Sequence, residues 1–322
     1  MITETLASRA TYSLVQEVRA GLLKTGQKEL PAKCFYDDVG SALFEAICHL
    51  PEYGLTRADE RIMRRYSEAM VSHLAAPVVV AELGCGSGRK TRWILEALSR
   101  RQPVVYHPIE ISSSALATCR RELDDIDSLR IAGFESEYLD GLLHVAAHRP
   151  VHQHILVLFL GSTIGNFDRP AGIRFLQQVR RILRPGDALL LGTDLEKPVS
   201  QLIAAYDDSL GVTAAFNLNV LARLNRELDA DFRLDQFRHL ARYNYHERRI
   251  EMHLLSTLEQ TVTVPAAELM VTFRAGETIW TESSHKYNLP EVRQLAQQSG
   301  FRCENQWLDE EWPFAESLLI AQ

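Results

Sequence analysis

The chain has 322 residues, enough for one large domain or two of ordinary size, and 46% hydrophobic against 24% charged residues is a globular balance. Its formal net charge is −7 and no basic block stands out, which argues against nucleic acid as a partner. Five scattered cysteines (Cys34, Cys48, Cys85, Cys119 and Cys303), never spaced C-x-x-C, argue against a disulfide framework or a cysteine metal site and fit a reducing cytoplasm.

In chain order, the opening "MITETLASRA" lacks a basic segment followed by an apolar one, so no signal peptide is expected. No apolar run reaches the ~20 residues of a membrane span. Residues 1–75 read as helical, with "SALFEAICHL" and "TRADERIMRRYSEAMVSHL" as candidate helices. Strand and helix then alternate. Strands are expected at 77–83, 103–111, 129–134, 154–160 and 187–195, and helices at 89–101, 112–126 and 171–183. The serines at 112–114 suit a helix cap. "HILVLFL" (154–160) is apolar almost throughout, as a strand buried on both faces should be. This alternation predicts an α/β fold with a doubly wound, mostly parallel sheet.

Residues 198–285 break the pattern. They begin as helices, "SQLIAAYDD" and "NVLARLNREL", and become strands of period two. In "RIEMHLL", Ile250, Met252 and Leu254 share one face and Glu251 and His253 the other. "ELMVTFRAGETIWTESSHKY" (268–287) reads as a hairpin around Ala275-Gly276-Glu277. A helix near 290–299 and strands at 301–308 and 316–321 then resume the sheet. The expected division is 1–60 and 197–286 for a second, α+β domain, and 61–196 with 287–322 for the sheet domain.

"AELGCGSGRKT" follows the first strand and opens a helix. Glycines at 84, 86 and 88 let the backbone approach a ligand, and Glu82 precedes the turn. The spacing is G-x-G-x-G and resembles motif I of class I S-adenosylmethionine-dependent methyltransferases; a dinucleotide domain is the alternative at this point. Glu110 ends the second strand 26 residues beyond Gly84, where a carboxylate can accept both ribose hydroxyls. Lys90 is expected in the first turn of the following helix, unfavourable for the helix dipole unless it pairs with a ligand carboxylate. After the fourth strand, "LFLGSTIGNF" turns abruptly polar, and the small residues Gly161 to Thr163 make room where two ligands would meet.

With these residues the chain resembles the histidine-specific Nα-methyltransferases of ergothioneine biosynthesis along essentially its whole length. The carrying stretches are "KCFYDDVGSALFEAICHLPEYGLTR", "ELGCGSGRKTR", "FLGSTIGNF", "LLGTDLEK", "AAYDDSLGVTAAFNLNVLARLNRELDADF", "RIEMHL" and "TESSHKY". The resemblance implies a Rossmann-like methyltransferase domain with a substrate-binding domain built from the two misfit regions. It implies S-adenosyl-L-methionine as cofactor, held at Gly84, Gly86, Lys90 and Glu110, and L-histidine as substrate, held at Tyr53, Gly161, Asn166, Tyr206, Glu282 and Ser284. Met252 would lie beside the ring and Tyr36 near the reacting amine. One position departs from the family: the acid expected after the third-strand glycine is Phe134, and Glu135 follows it. The adenine contact then shifts by one residue or relies on backbone groups.

Methyl transfer from a sulfonium is an in-line displacement, so alignment is the main catalytic contribution expected. Asn166 is the candidate to accept a hydrogen bond from the amine and aim its lone pair, with the Tyr36 hydroxyl doing likewise. No side chain is placed as a general base, so solvent is expected to take the proton. Trp280, Glu282 and Ser284 alternate on a strand, which gives a carboxylate and a hydroxyl for the two ring nitrogens of an imidazole. The eleven histidines show no metal-ligand spacing, and His49, His107 and His253 read as structural, so no metal is expected. The expected activity is three methylations of free L-histidine by a cytoplasmic monomer that touches neither nucleic acid nor membrane. The alternatives are the same scaffold acting on tryptophan or tyrosine, and a non-catalytic cofactor-binding protein.

Overall fold

A computed structural model describes residues 14–322, so the opening decapeptide lies outside the described residues. Helix α1 (14–22) leads to β1 (Lys28–Glu29), α2 (Asp38–Cys48) and α3 (Leu55–Ser72). Alternation follows: β2 (Val78–Leu83), α4 (Arg92–Ser99), β3 (Val104–Glu110), α5 (Ser113–Leu123), β4 (Leu129–Ile131), β5 (Phe134–Glu135), α6 (Tyr138–His148), β6 (His154–Phe159), α7 (Arg169–Ile182) and β7 (Ala188–Asp194). Next come α8 (Val199–Tyr206), α9 (Val212–Glu227), β8 (Phe237–Asn244), β9 (Arg249–Ser256), β10 (Gln260–Val264), β11 (Leu269–Phe273) and β12 (Thr278–His285). The chain ends with α10 (Leu289–Gln298), β13 (Phe301–Asp309) and β14 (Phe314–Ala321).

Two compact units result, one of residues up to Glu52 with Val199–Ser284, the other of Tyr53–Pro198 with His285–Gln322. The second holds the large sheet, in the order β13-β14-β7-β6-β2-β3-β4, with β5 beside β3. β4, β3, β2, β6 and β7 run parallel; β14 is antiparallel to β7 and β13. β2 and β7 are buried along their whole length, which is why they read as apolar runs. Leu83, Val157 and Leu189 of the sheet pack with Val145, Leu176, Val179 and Val292 of the covering helices. Each such side chain contributes roughly 1.5–3 kcal/mol by burial. Strand order reverses between β2 and β6, so the loops after these two strands share the crevice where doubly wound sheets bind ligands.

Helix α6 has no counterpart among the elements expected from the sequence. Its apolar stripe is interrupted by Gly141, which is needed because a Cβ there would sit 2.5 Å from Ile109 Cγ2. The expected strand 129–134 is split into β4 and β5. The domain boundary falls at Glu52 rather than 60 because α3 is part of the sheet unit. It buries Leu55, Ala58, Ile62 and Met63 and fastens to β13 through Arg61, whose guanidinium bonds both oxygens of Asp309 (2.7 and 2.6 Å).

In the other unit, a four-stranded sheet runs β1-β12-β9-β8 and a two-stranded one pairs β10 with β11. The hairpin expected over 268–287 does not form. The turn is present, with Gly276 at φ +83° and its N–H donating to Ser256 O (2.8 Å). The strands either side of it go to different sheets. β11 pairs with β10, Val271 opposite Val262 and Leu269 opposite Val264, so that these four apolar residues bury one another. The Glu251 and His253 face of β9 is also buried, which alternation alone did not indicate. Glu251 is matched there by Asn244, Arg242 and Arg249, each at 2.9 Å.

Candidate active site

In the sheet unit, β2 ends in a turn where Gly84, Gly86 and Gly88 have φ of +79°, +50° and +79°, conformations only glycine adopts without strain. A Cβ on Gly88 would lie 2.8 Å from Cys119 Sγ, whereas Gly86 faces open space. The Gly84 N–H donates to Ile109 O (2.9 Å), which ties the turn to the end of β3. There Glu110 Oε1 accepts from the Ile111 and Ser112 N–H groups at 2.9 and 3.2 Å. Burial raises the pKa of this carboxyl. An approachable backbone beside a held carboxylate suits a nucleoside with a ribose diol. β5 runs in register with this strand end, Glu110 opposite Glu135. The Phe134 ring packs 4.7 Å from His144 and 5.5 Å from His107. Glu135 is exposed.

Lys90 is not in the first turn of α4 as expected; it precedes the cap residue Thr91. Its Nζ donates to Asp59 Oδ2 (2.8 Å), and the same oxygen accepts the Gly161 N–H (3.0 Å). Burial opposes the lysine's charge, but the surrounding acids, Asp59 foremost, raise the pKa. Gly161 has φ +68°, and a Cβ on it would stand 2.8 Å from Lys90 Nζ. The smallness of this residue therefore accommodates the lysine. Asp59 escaped the sequence reading, although a charged residue within the Leu55, Ala58, Ile62, Met63 stripe of α3 was a readable signal. Buried Glu82 accepts from Thr91 Oγ1 (2.7 Å) and from the Tyr106 hydroxyl. Burial outweighs these bonds and pushes its carboxyl up to about 7.

The loop after β6 is held from several sides within this unit. Ser162 takes φ +60°, and its Oγ accepts the Asp194 N–H (2.9 Å). His285 Nδ1 meets Gly165 O at 3.0 Å, and a Cβ on Gly165 would lie 3.0 Å from His285 O. The Tyr287 hydroxyl reaches Ile164 O (3.4 Å). Asn166 is half-buried at the end of this turn. Tyr53 is buried and followed by Gly54, where a Cβ would lie 2.2 Å from the Trp312 ring. Trp312 Nε1 in turn donates to Asp194 (3.0 Å).

The other unit carries Tyr36, Tyr206, Met252, Glu282 and Ser284. Tyr36 stands edge-on to Phe44 and Phe216, at 6.1 and 6.3 Å. The Tyr206 hydroxyl donates to Ser284 Oγ (2.7 Å). Its carbonyl accepts from His239 Nε2 (2.8 Å), whose Nδ1 takes the Asn217 amide (2.9 Å). Trp280 packs under Arg249 (4.4 Å) and against His253, and its Nε1 donates to Glu282 O (2.9 Å), which fixes the strand where Glu282 projects. Met252 is buried, and its carbonyl lies 3.0 Å from Thr281 Oγ1 of β12.

A seven-strand order with one antiparallel member, a glycine turn after the central strand and a carboxylate at the next strand end are the doubly wound frame expected of an S-adenosyl-L-methionine-dependent methyltransferase. The particular family follows from comparison: the profile of the histidine-specific, SAM-dependent methyltransferases matches residues 14–321, and the chain belongs to this family. It is an enzyme that uses S-adenosyl-L-methionine. It is 41% identical to the histidine N-alpha-methyltransferase of Mycolicibacterium smegmatis, over 98% of this chain and 97% of that protein. The protein of the same name from Mycobacterium tuberculosis is 42% identical over 95% and 94%. Ergothioneine biosynthesis protein 1 of Neurospora crassa is 28% identical over 88% of this chain and 32% of that protein.

Proposed function

We propose that the chain methylates the α-amine of free L-histidine three times, giving Nα,N,N-trimethyl-L-histidine (hercynine), the first step of ergothioneine biosynthesis. The observation that carries this reading is the β12 strand, where Glu282 and Ser284 stand two residues apart and the Ser284 hydroxyl is held at 2.7 Å by Tyr206. A neutral imidazole has one N–H and one bare nitrogen; Glu282 accepts from the first and Ser284 serves the second. An indole has a single nitrogen and a phenol none, so tryptophan and tyrosine leave part of this set unmatched. Met252 covers the face of the small ring.

S-adenosyl-L-methionine supplies the methyl group on a sulfonium. Gly84 and Gly86 offer backbone to it, Glu110 accepts the ribose hydroxyls, Phe134 and Glu135 border the adenine, and Lys90 pairs with its carboxylate. Tyr53 and Gly161 line the amino-acid side. Asn166 accepts a hydrogen bond from the amine N–H and aims the nitrogen lone pair. The bound cofactor would supply a methyl group to that lone pair and leave as the thioether, and the amine proton would go to solvent. Each transfer removes an N–H, so the growing cation depends increasingly on the faces of Tyr36 and Tyr53. We read the protein as a monomer of the cytoplasm; its five cysteines are free, and among the described residues no helix is long and apolar enough to cross a membrane.

Mass spectrometry of the protein incubated with S-adenosyl-L-methionine and each of the twenty amino acids tests this. Histidine is expected to gain up to three methyl groups. Methylation of another amino acid with histidine untouched would overturn the proposal.

A further inference from the structure

Asp59 of α3, Glu82 of β2 and Glu316 of β14 are all buried near Lys90. Glu82 has its donors in Thr91 and Tyr106. Asp59 Oδ2 has two, the Lys90 ammonium and the Gly161 N–H. Asp59 Oδ1 and both Glu316 oxygens meet no donor among the described residues. Instead Glu316 stands beside the Asp59 group: the Cβ position of Gly192 lies close to Glu316 Oε1 and 3.1 Å from the Gly161 nitrogen that donates to Asp59. Gly192 stands opposite Glu316 in the β14–β7 register, and a Cβ there would come within 2.6 Å of Glu316 Oε1. The sheet is therefore built around this acid.

Buried acceptor oxygens nearly always have a donor, and two ionised carboxylates in contact away from water repel strongly. One proton resolves both problems. Held on Glu316, it is donated to Asp59 Oδ1, so that Asp59 keeps its charge and its grip on Lys90 and Gly161. We propose that Glu316 is a carboxylic acid and the positioning residue for Lys90, acting through Asp59. The titratable groups around it are Asp59, Lys90 and Glu82, and burial together with Asp59 drives it in the same direction.

The consequence rests on the reading of Lys90 as the partner of the cofactor's carboxylate. An ammonium has three donors, and Asp59 engages one. A neutral Glu316 leaves the others to attract an incoming carboxylate. An ionised Glu316 would add a second negative charge beside Lys90 and repel it.

Infrared spectroscopy of the full chain distinguishes the two forms, because a carboxylic acid has a C=O stretch that a carboxylate lacks. At pH 7.5 the native protein is expected to show a buried carboxylic-acid band that Glu316→Gln loses. An identical spectrum in that region would overturn the proposal. Calorimetry with S-adenosylhomocysteine reads the positioning role. Glu316→Gln, which keeps a donor to Asp59, should bind within about threefold of the native protein, and Glu316→Ala about tenfold more weakly. Equal losses in the two variants, or none in Glu316→Ala, would overturn it. If Glu316→Ala does not fold, the infrared band and Glu316→Gln still decide. Lys90→Met tests the other reading separately: unchanged affinity there removes Lys90 from the cofactor site and leaves the protonation of Glu316 to the infrared result.

Discussion

The sheet unit presents its candidate groups as backbone and buried charge: left-handed glycines, a carboxylate fixed by its own strand end, and a lysine held by Asp59. The other unit presents side chains along one strand, Glu282 and Ser284 of β12, backed by a tyrosine hydroxyl and an indole. The first kind of site is bound up with the core, because Gly54, Gly88, Gly161 and Gly192 each lack a Cβ that would strike a neighbour. The second can change what it reads by altering two or three strand residues. A cofactor shared across a class suits the former and a selective substrate suits the latter.

The largest expected effect falls on the chemistry. Asn166→Ala should lower kcat by about 10²-fold, the scale of a misaligned reacting group, while moving either KM only a few-fold. A rise confined to the histidine KM, with kcat unchanged, would place Asn166 with the recognition residues. Gly54→Ala tests the core-bound character of the sheet unit. The new methyl meets the Trp312 ring, so we expect a loss of about 1–3 kcal/mol in urea unfolding. Unchanged stability would show that the ring gives way.

A smaller effect separates the units by pH. Burial, outweighing Tyr106 and Thr91, lifts Glu82 to about 7, so its folded form prefers the proton. The stability this gives is complete below the ordinary carboxylate range and is lost as pH rises toward 7. Relative to the native protein, Glu82→Gln should gain about 1 kcal/mol per pH unit between pH 5 and 7 and level off above. In the other unit burial would raise Glu251, but hydrogen bonds from Asn244, Arg249, Arg242 and His253 hold it at about 2. Its contribution is present above the ordinary carboxylate range and lost as pH falls toward 2. A Glu82→Gln gain that does not vary with pH would contradict this contrast.

What the sequence disclosed follows the same divide. The buried strands β2 and β6 are nearly continuous apolar runs, and the cap at Ser112 is present, accepting the Ala115 N–H at 3.3 Å. Such signals are local. The pairing of β11 with β10 was not legible, because a strand's partner is chosen by which apolar faces complete each other. Asp59, Lys90, Gly161 and Glu316 come from four separate elements, so no spacing announces them. Even there a trace existed, an acid on the apolar stripe of α3 and another opening the apolar run of β14.

In the proposed function, histidine is read by Glu282 and Ser284 of β12 and the cofactor by the glycine turn and the strand ends of the sheet unit. Calorimetry of Glu282→Ala tests it most directly, with S-adenosylhomocysteine and histidine titrated in turn. Losing a charged hydrogen bond to the imidazole should weaken histidine by about 10- to 100-fold and leave S-adenosylhomocysteine within twofold, roughly. Unchanged histidine affinity, or equal losses for both ligands, would contradict the account.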